Sequence, residues 1–159
     1  MSEARLRCGE ILLVDDSAKD VRLIREVLCD QGHQHRLTVA RSGEEALQRL
    51  RSAASDTEGK QPDLVLLDIN LPRLSGIEVL SCIKSDPALR QLPVLMLTTS
   101  RAERDVTASY AHHANGYLVK PARYDDFAAL IGVTLEFWLE HSQLPKRMAP
   151  ARISPCACC

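Results

Sequence analysis

Two apolar stretches end in carboxylates that packing alone does not call for: Ile11-Leu12-Leu13-Val14 runs into Asp15-Asp16, and Leu64-Val65-Leu66-Leu67 runs into Asp68-Ile69-Asn70. Three carboxylates gathered in one place repel one another and resist ionising unless a cation neutralises them. An all-oxygen set of this kind suits a hard divalent ion, Mg2+ foremost. Two further apolar stretches end differently. Pro93-Val94-Leu95-Met96-Leu97 meets Thr98-Thr99-Ser100, and Gly116-Tyr117-Leu118-Val119 meets Lys120-Pro121, which adds a hydroxyl and an ammonium. Acids, a divalent ion, a hydroxyl and a lysine are the parts of phosphoryl chemistry, where catalysis is mostly positioning and neutralisation of phosphoryl oxygens. No glycine-rich nucleotide cradle accompanies them.

Singly, each residue has a plainer reading. An aspartate after a strand is most often a turn residue or helix cap, and Lys120 before Pro121 reads as a solvated strand end. Thr98 is followed by Thr99, and a one-residue change of register exchanges their faces. The combined pattern, with every polar group at the same end of a strand, favours a shared site.

The elements that must hold these residues follow from periodicity. Short runs rich in Val, Ile and Leu read as strands covered on both faces, which occur in parallel sheets flanked by helices. In such sheets the ligand crevice lies beyond the carboxyl ends of the strands, where Asp15, Asp16 and Asp68 would converge. Helical patterns alternate with the strands, as in repeated βαβ units. The first helix begins near Ser17, an N-cap, turns Val21, Ile24 and Leu28 inward and stops at Gly32. Residues 37–40 form the second strand. Ser42 and Glu45 have the spacing of a capping box, with Leu47 and Leu50 facing the core. Residues 52–61 are small and polar, and predict a helix end and an exposed, enlarged loop. The turn at residues 71–76 leads into a helix carrying Ile77, Leu80 and Ile83, closed by Asp86-Pro87. Two more helices are predicted over residues 103–111 and 124–141. In the last, Phe127, Leu130, Ile131, Thr134, Leu135 and Trp138 make a core stripe, leaving Val133, Phe137 and Leu139 outside it.

Composition bounds the answer. The chain has 159 residues, 45% hydrophobic and 26% charged, which suits one globular core. Residues 1–144 are expected to form that domain and residues 145–159, broken by prolines, a disordered tail. A net charge of -1 gives no field to gather nucleic acid or an anionic membrane. No run approaches the length of a membrane span, and a cytoplasmic protein is expected. Of the six cysteines, Cys8, Cys29 and Cys82 read as small buried or half-buried thiols. Cys156, Cys158 and Cys159 crowd the C-terminus, and a single CxxC pair there is a weak metal signal.

The succession of DD, DxN, T and KP, each closing an apolar strand, resembles the receiver domain of bacterial two-component response regulators over residues 10–138. The resemblance implies a doubly wound (βα)5 flavodoxin-like α/β fold, a five-stranded parallel sheet of order 2-1-3-4-5. It implies Asp68 as phosphoacceptor. A Mg2+ cofactor would be held by Asp16 directly, by Asp15 mainly through water, by the Asp68 carboxylate and by the backbone carbonyl of Asn70. Lys120 would pair with Asp68 and then with phosphoryl oxygens, and Thr98 would offer its hydroxyl to the same group. Thr98 and Tyr117 match the switch positions. A sensor histidine kinase is the implied partner. The long loop before Pro62, the segment at residues 83–87 and the ending Glu136-Phe137-Trp138-Leu139 with Leu144-Pro145 resemble small regulators paired with phytochrome-type kinases. A homodimer through the fourth helix, fifth strand and fifth helix is implied by the same family. Thr99, Ser75 and Ala122 depart from residues common in receivers, namely Ala or Gly, Asp, and Phe.

Two other readings compete. A Mg2+-dependent phosphohydrolase with an aspartyl-phosphate intermediate would share the acids but needs a substrate-enclosing cap, for which no insertion is large enough. A degenerate receiver serving only as an interaction module would not need the intact acids, Thr98 and Lys120.

Overall fold

The structure is a computed structural model and describes residues 8–30, 34–55 and 61–145. Five strands and five helices alternate: β1 Glu10–Val14, α1 Ala18–Asp30, β2 Arg36–Ala40, α2 Gly43–Ser55, β3 Leu64–Leu67, α3 Gly76–Ser85, β4 Val94–Thr98, α4 Glu103–Ala111, β5 Gly116–Val119 and α5 Tyr124–Leu135. The sheet is parallel throughout, in the order β2-β1-β3-β4-β5, as expected. The chain leaves β1 toward β2 on one side and returns to β3 on the other. The crevice between the carboxyl ends of β1 and β3 is therefore the point where the winding reverses, the place where ligands enter such sheets.

Strand alternation divides the core into two layers. Leu12, Val14, Val65, Leu67, Val94 and Met96 face α2 and α3. Ile11, Leu13, Leu64, Leu66, Leu95 and Leu97 face α1 and α5. Covering both faces explains why β1, β3 and β4 read as unbroken apolar runs rather than alternating ones. The edge strand β2 does alternate between exposed and half-buried positions.

Helix starts are built by side chains. The Ser17 hydroxyl accepts from the Asp20 N–H at 3.3 Å, as predicted for an N-cap. Ser42 likewise accepts from the Glu45 N–H at 3.2 Å, but the Glu45 carboxylate reaches the N–H of Arg41, not of Ser42, so the expected capping box is shifted by one residue. A complete capping box stands at Ser75, whose hydroxyl accepts from Glu78 while the Glu78 carboxylate accepts from Ser75. A serine in place of an aspartate at position 75 thus has a structural use.

Gly76 is fixed by crowding. A Cβ there would lie 1.9 Å from the Asp68 carbonyl oxygen. Gly76→Ala is expected to push β3 and the following loop apart and to cost about 3 kcal/mol or more, read by denaturant unfolding. Lys84 of α3 ties the far end of the sheet. Its ammonium donates to the carbonyls of Arg90 and Leu92 and to Asn115 Oδ1, at 3.2, 2.7 and 3.0 Å, and burial holds its pKa below the ordinary lysine value. Lys84→Met takes this donor from the Arg90 and Leu92 carbonyls, while Asn115 Oδ1 keeps the Val94 N–H, and should cost about 1–3 kcal/mol by the same measurement.

The last helix departs from expectation in one respect. α5 ends at Leu135 and continues as a π-helical segment, Glu136–His141. Its wider turn takes in an extra residue, so the apolar stripe rotates. Leu139, predicted to lie outside the core stripe, is buried against Gly9. Val133 and Phe137 remain exposed, as expected, while Phe127, Ile131, Thr134 and Leu135 are buried and Leu130 and Trp138 pack at the margin.

The cysteines also need correction. Cys8 and Cys29 are exposed, and only Cys82 is half-buried. Cys29 lies near the end of α1 on its solvent side, and the Cys8 thiol donates to the Gln34 carbonyl. Gly32, residues 56–60 of the expected loop, and Cys156, Cys158 and Cys159 of the tail lie outside the described residues. Among the described residues no helix is long and apolar enough to cross a membrane.

Candidate functional site

Sheet hydrogen bonding runs one residue past the strands and so fixes the acids. The Asp15 N–H donates to the Ala40 carbonyl and the Asp68 N–H to the Val14 carbonyl, each at 3.0 Å. Both carboxylates stand side by side at the switch point, Asp15 fully buried and Asp68 nearly so. Asp16, one residue on, is exposed. Oxygens of Asp15, Asp16 and Asp68 lie within 4.8 Å of one another, the only such convergence of metal-ligating side chains among the described residues. A hard divalent cation fits this set, because its charge removes the repulsion that otherwise opposes three ionised carboxylates.

Lys120 closes the site from β5. Its N–H donates to the Thr98 carbonyl at 2.8 Å, which places the ends of β4 and β5 at the same rim. Its buried ammonium donates to Asp15 Oδ2 at 2.7 Å, to Asp20 Oδ2 at 2.8 Å and to Asp68 Oδ2 at 3.0 Å. All three of its donors are used. Burial alone would push the Lys120 pKa down, but the hydrogen bonds to Asp15 and Asp20 and the charges of Asp15 and Asp68 raise it above the ordinary lysine value. Burial dominates at Asp15, whose pKa stays raised despite Lys120 and the Ser17 N–H.

Thr98 is fully buried and its hydroxyl accepts from the Ser100 N–H at 3.3 Å, whereas Thr99 is exposed. The register left open by the adjacent threonines is thereby fixed with Thr98 inward. The Asn70 N–H donates to Asp68 Oδ1 at 3.3 Å, holding its backbone beside the carboxylate. Tyr117, half-buried on β5, donates its hydroxyl to the Ser100 carbonyl at 2.9 Å, and burial raises its pKa. Every residue expected at the site is at the carboxyl end of the sheet, except that Tyr117 sits two strand positions further back than Val119, opposite Met96.

Asp20 was not expected there. Sequence offered one weak signal, an acid in the first turn of a helix that opens at the rim, which reads as a complement to the helix dipole. Its partner is 100 residues away.

The family model for the response regulator receiver domain matches residues 11–132. The chain belongs to the receiver domain family. As a receiver it is similar to the response regulator Rcp1 of Synechocystis sp. (strain ATCC 27184 / PCC 6803 / Kazusa), with 43% identity over 135 residues, covering 85% of this chain and 92% of the relative. Among solved structures it resembles the phosphorylated cyanobacterial phytochrome response regulator RcpA, with a TM-score of 0.82 and 40% identity, covering 88% of this chain and all of the other. It also resembles the Mn2+-bound form of Rcp1, with a TM-score of 0.79 and 42% identity, covering 87% of this chain and 99% of the other. The chain is therefore a receiver-domain response regulator, a signalling protein of two-component systems whose acidic pocket is of the kind that binds a divalent metal. A receiver domain implies a histidine kinase as partner.

Proposed function

We propose that this receiver takes a phosphoryl group from a sensor histidine kinase onto Asp68 and so catalyses its own modification. The observation that carries the reading is the buried ammonium of Lys120 set between Asp15 and Asp68 at the switch point. An Asp68 carboxylate oxygen forms the new bond to phosphorus as the bond from phosphorus to the donor histidine nitrogen, or to the carboxylate oxygen of a small acyl phosphate, breaks. The leaving group keeps that electron pair, and Asp68 becomes an acyl phosphate. A bound Mg2+ would neutralise phosphoryl oxygens. Asp16, exposed at the pocket mouth, suits direct coordination. Both oxygens of Asp15 already accept N–H donors, from Ser17 and from Lys120, which favours contact through water. The Asn70 carbonyl and the Asp68 carboxylate complete the set.

Phosphorylation would then draw the Thr98 hydroxyl from the Ser100 N–H toward the new group. Tyr117, tied to Ser100, would follow, biasing two packings of α4 and β5. α4 is suited to move, since Ser109 is its one buried residue. We place the protein in the cytoplasm, where exposed thiols such as Cys8 and Cys29 stay reduced, and take a phytochrome-type kinase as the partner by analogy with RcpA, described as a phytochrome response regulator. We treat residues 1–144 as the receiver, Leu144 packing at the margin of its core, and 145–159 as a dispensable tail. Incubation with phosphorylated kinases of several sensor classes, read at short times by intact mass, should give one phosphate adduct, fastest from the phytochrome-type donor. No adduct from any kinase, or turnover of small phosphate esters instead, would count against the reading.

Assembly is proposed through α4, β5 and α5. Tyr110 on α4, Val133 on α5 and Phe137 on its π-helical continuation are more than half exposed, at 52, 67 and 56%. Phe137→Glu would set an unpaired carboxylate into the contact and should weaken a dimer at least about tenfold, or ~1.4 kcal/mol. Deleting residues after Leu144 should leave assembly unchanged under reducing conditions. Sedimentation distinguishes the outcomes: dimers that disappear only on reduction would assign assembly to the cysteine tail.

A further inference from the structure

The lysine of the site has one more acceptor than the proposed phosphoryl chemistry uses. Asp20 is not one of the carboxylates whose oxygens converge for a cation, yet its Oδ2 lies 2.8 Å from the Lys120 ammonium. It is itself anchored. The Asp20 N–H is held by the Ser17 hydroxyl at 3.3 Å, and the Ser17 N–H is held by Asp15 Oδ1 at 2.8 Å, so Asp15 and Asp20 are two ends of one short hydrogen-bonded turn. Both grip the same ammonium from the β1–α1 side, at 2.7 and 2.8 Å, and the bond to Asp68, at 3.0 Å, is the longest of the three.

We propose that Asp20 is a positioning residue for Lys120: together with Asp15 it keeps the ammonium in place while the third N–H passes from Asp68 to a phosphoryl oxygen. The inference rests on Asp68 as phosphoacceptor. A lysine carries its charge on a flexible four-carbon stem with three rotatable donors. With a single fixed acceptor it would swing as soon as Asp68 is phosphorylated. With two it loses only the leg that must be exchanged, and the remaining N–H points where the carboxylate was. The opposing effect is electrostatic, since one more acid beside the pocket repels an anionic phosphoryl donor. Positioning requires the acceptor oxygen but not its charge, whereas repulsion requires the charge, so an asparagine at position 20 separates them.

The test compares the wild type, Asp20→Ala and Asp20→Asn as full chains. Phosphorylation by acetyl phosphate is followed over a range of donor concentrations, with beryllofluoride affinity as a measure of phosphoryl-group binding and Mg2+ affinity measured alone. Asp20→Ala should lose at least about tenfold in beryllofluoride affinity and should lower the saturating rate severalfold. Its Mg2+ affinity should stay within about twofold of the wild type, because Asp20 lies outside the metal set. Asp20→Asn should recover most of both losses. If both variants label as fast as the wild type or faster, Asp20 acts only by repulsion and the proposal fails. A matching loss of Mg2+ affinity would make Asp20 a metal ligand and would also overturn it. If Asp20→Ala does not fold, Asp20→Asn decides alone, since a deficit equal to full loss of beryllofluoride binding contradicts positioning by the oxygen. Either result with a labelled wild type leaves the phosphoacceptor reading standing. A wild type that takes no phosphate would remove that reading itself.

Discussion

Asp68→Ala should abolish phosphate incorporation from both phosphohistidine and acyl-phosphate donors, leaving an intact mass without the adduct seen on the wild type. No neighbouring acid can take over. Asp15 is fully buried with both oxygens bound by N–H donors, and Asp16 is exposed at the mouth, away from the Lys120 ammonium that contacts Asp15, Asp20 and Asp68. The loss should therefore exceed about a thousandfold, a barrier increase of ~4 kcal/mol or more. Stability is expected to survive, because Lys120 keeps two carboxylate partners and the crowding of negative charge falls. Asp68→Asn should behave in the same way in labelling. Stable labelling of the alanine variant at wild-type level would remove Asp68 from its assigned role.

Asp16→Ala should weaken Mg2+ binding by about tenfold or more while leaving the melting temperature unchanged or slightly raised. Losing a direct ligand from a site with few carboxylates is at least as severe as losing an outer-sphere partner, which typically costs 10–100-fold. Asp16 is exposed, and removing it relieves repulsion among the converging oxygens of the metal-free protein. Asp15→Ala is the contrasting case. It deprives the Ser17 N–H and the Lys120 ammonium of acceptors in a buried place, so stability should fall by about 1–3 kcal/mol as well. Calorimetric titration and thermal unfolding of the two variants separate the roles. A large loss of stability in Asp16→Ala with unchanged Mg2+ affinity would make Asp16 structural.

Strands and acids were legible in the sequence because both depend on local pattern. A strand covered on two faces has to be apolar throughout, as β1, β3 and β4 are, and its ligand-bearing end has to change character abruptly. The caps at Ser17 and Ser42 were legible for the same reason, being contacts over three residues. Asp20 was not, because its meaning comes from a lysine four strands later. Leu139 was misplaced because the expectation assumed 3.6 residues per turn, and a π-helical turn leaves no mark in a hydrophobic period until the helix is seen. The exposed Cys8 and Cys29 show the limit of residue averages: cysteine is usually buried, but position on the solvent side of a helix or ahead of a strand decides.

The contact between Lys120 and Asp15 joins residues 105 positions apart, through the last strand to be added at the edge of the sheet. Chains are made from the N-terminus, residue by residue. Asp15, Asp16 and Asp68 thus leave the ribosome well before the ammonium that balances them. A nascent chain ending before β5 carries the acids without their counter-charge and, on the proposed reading, has the phosphoacceptor but not the ammonium to hold a phosphoryl group. On the proposed reading, readiness to receive a phosphoryl group arrives only when β5 docks.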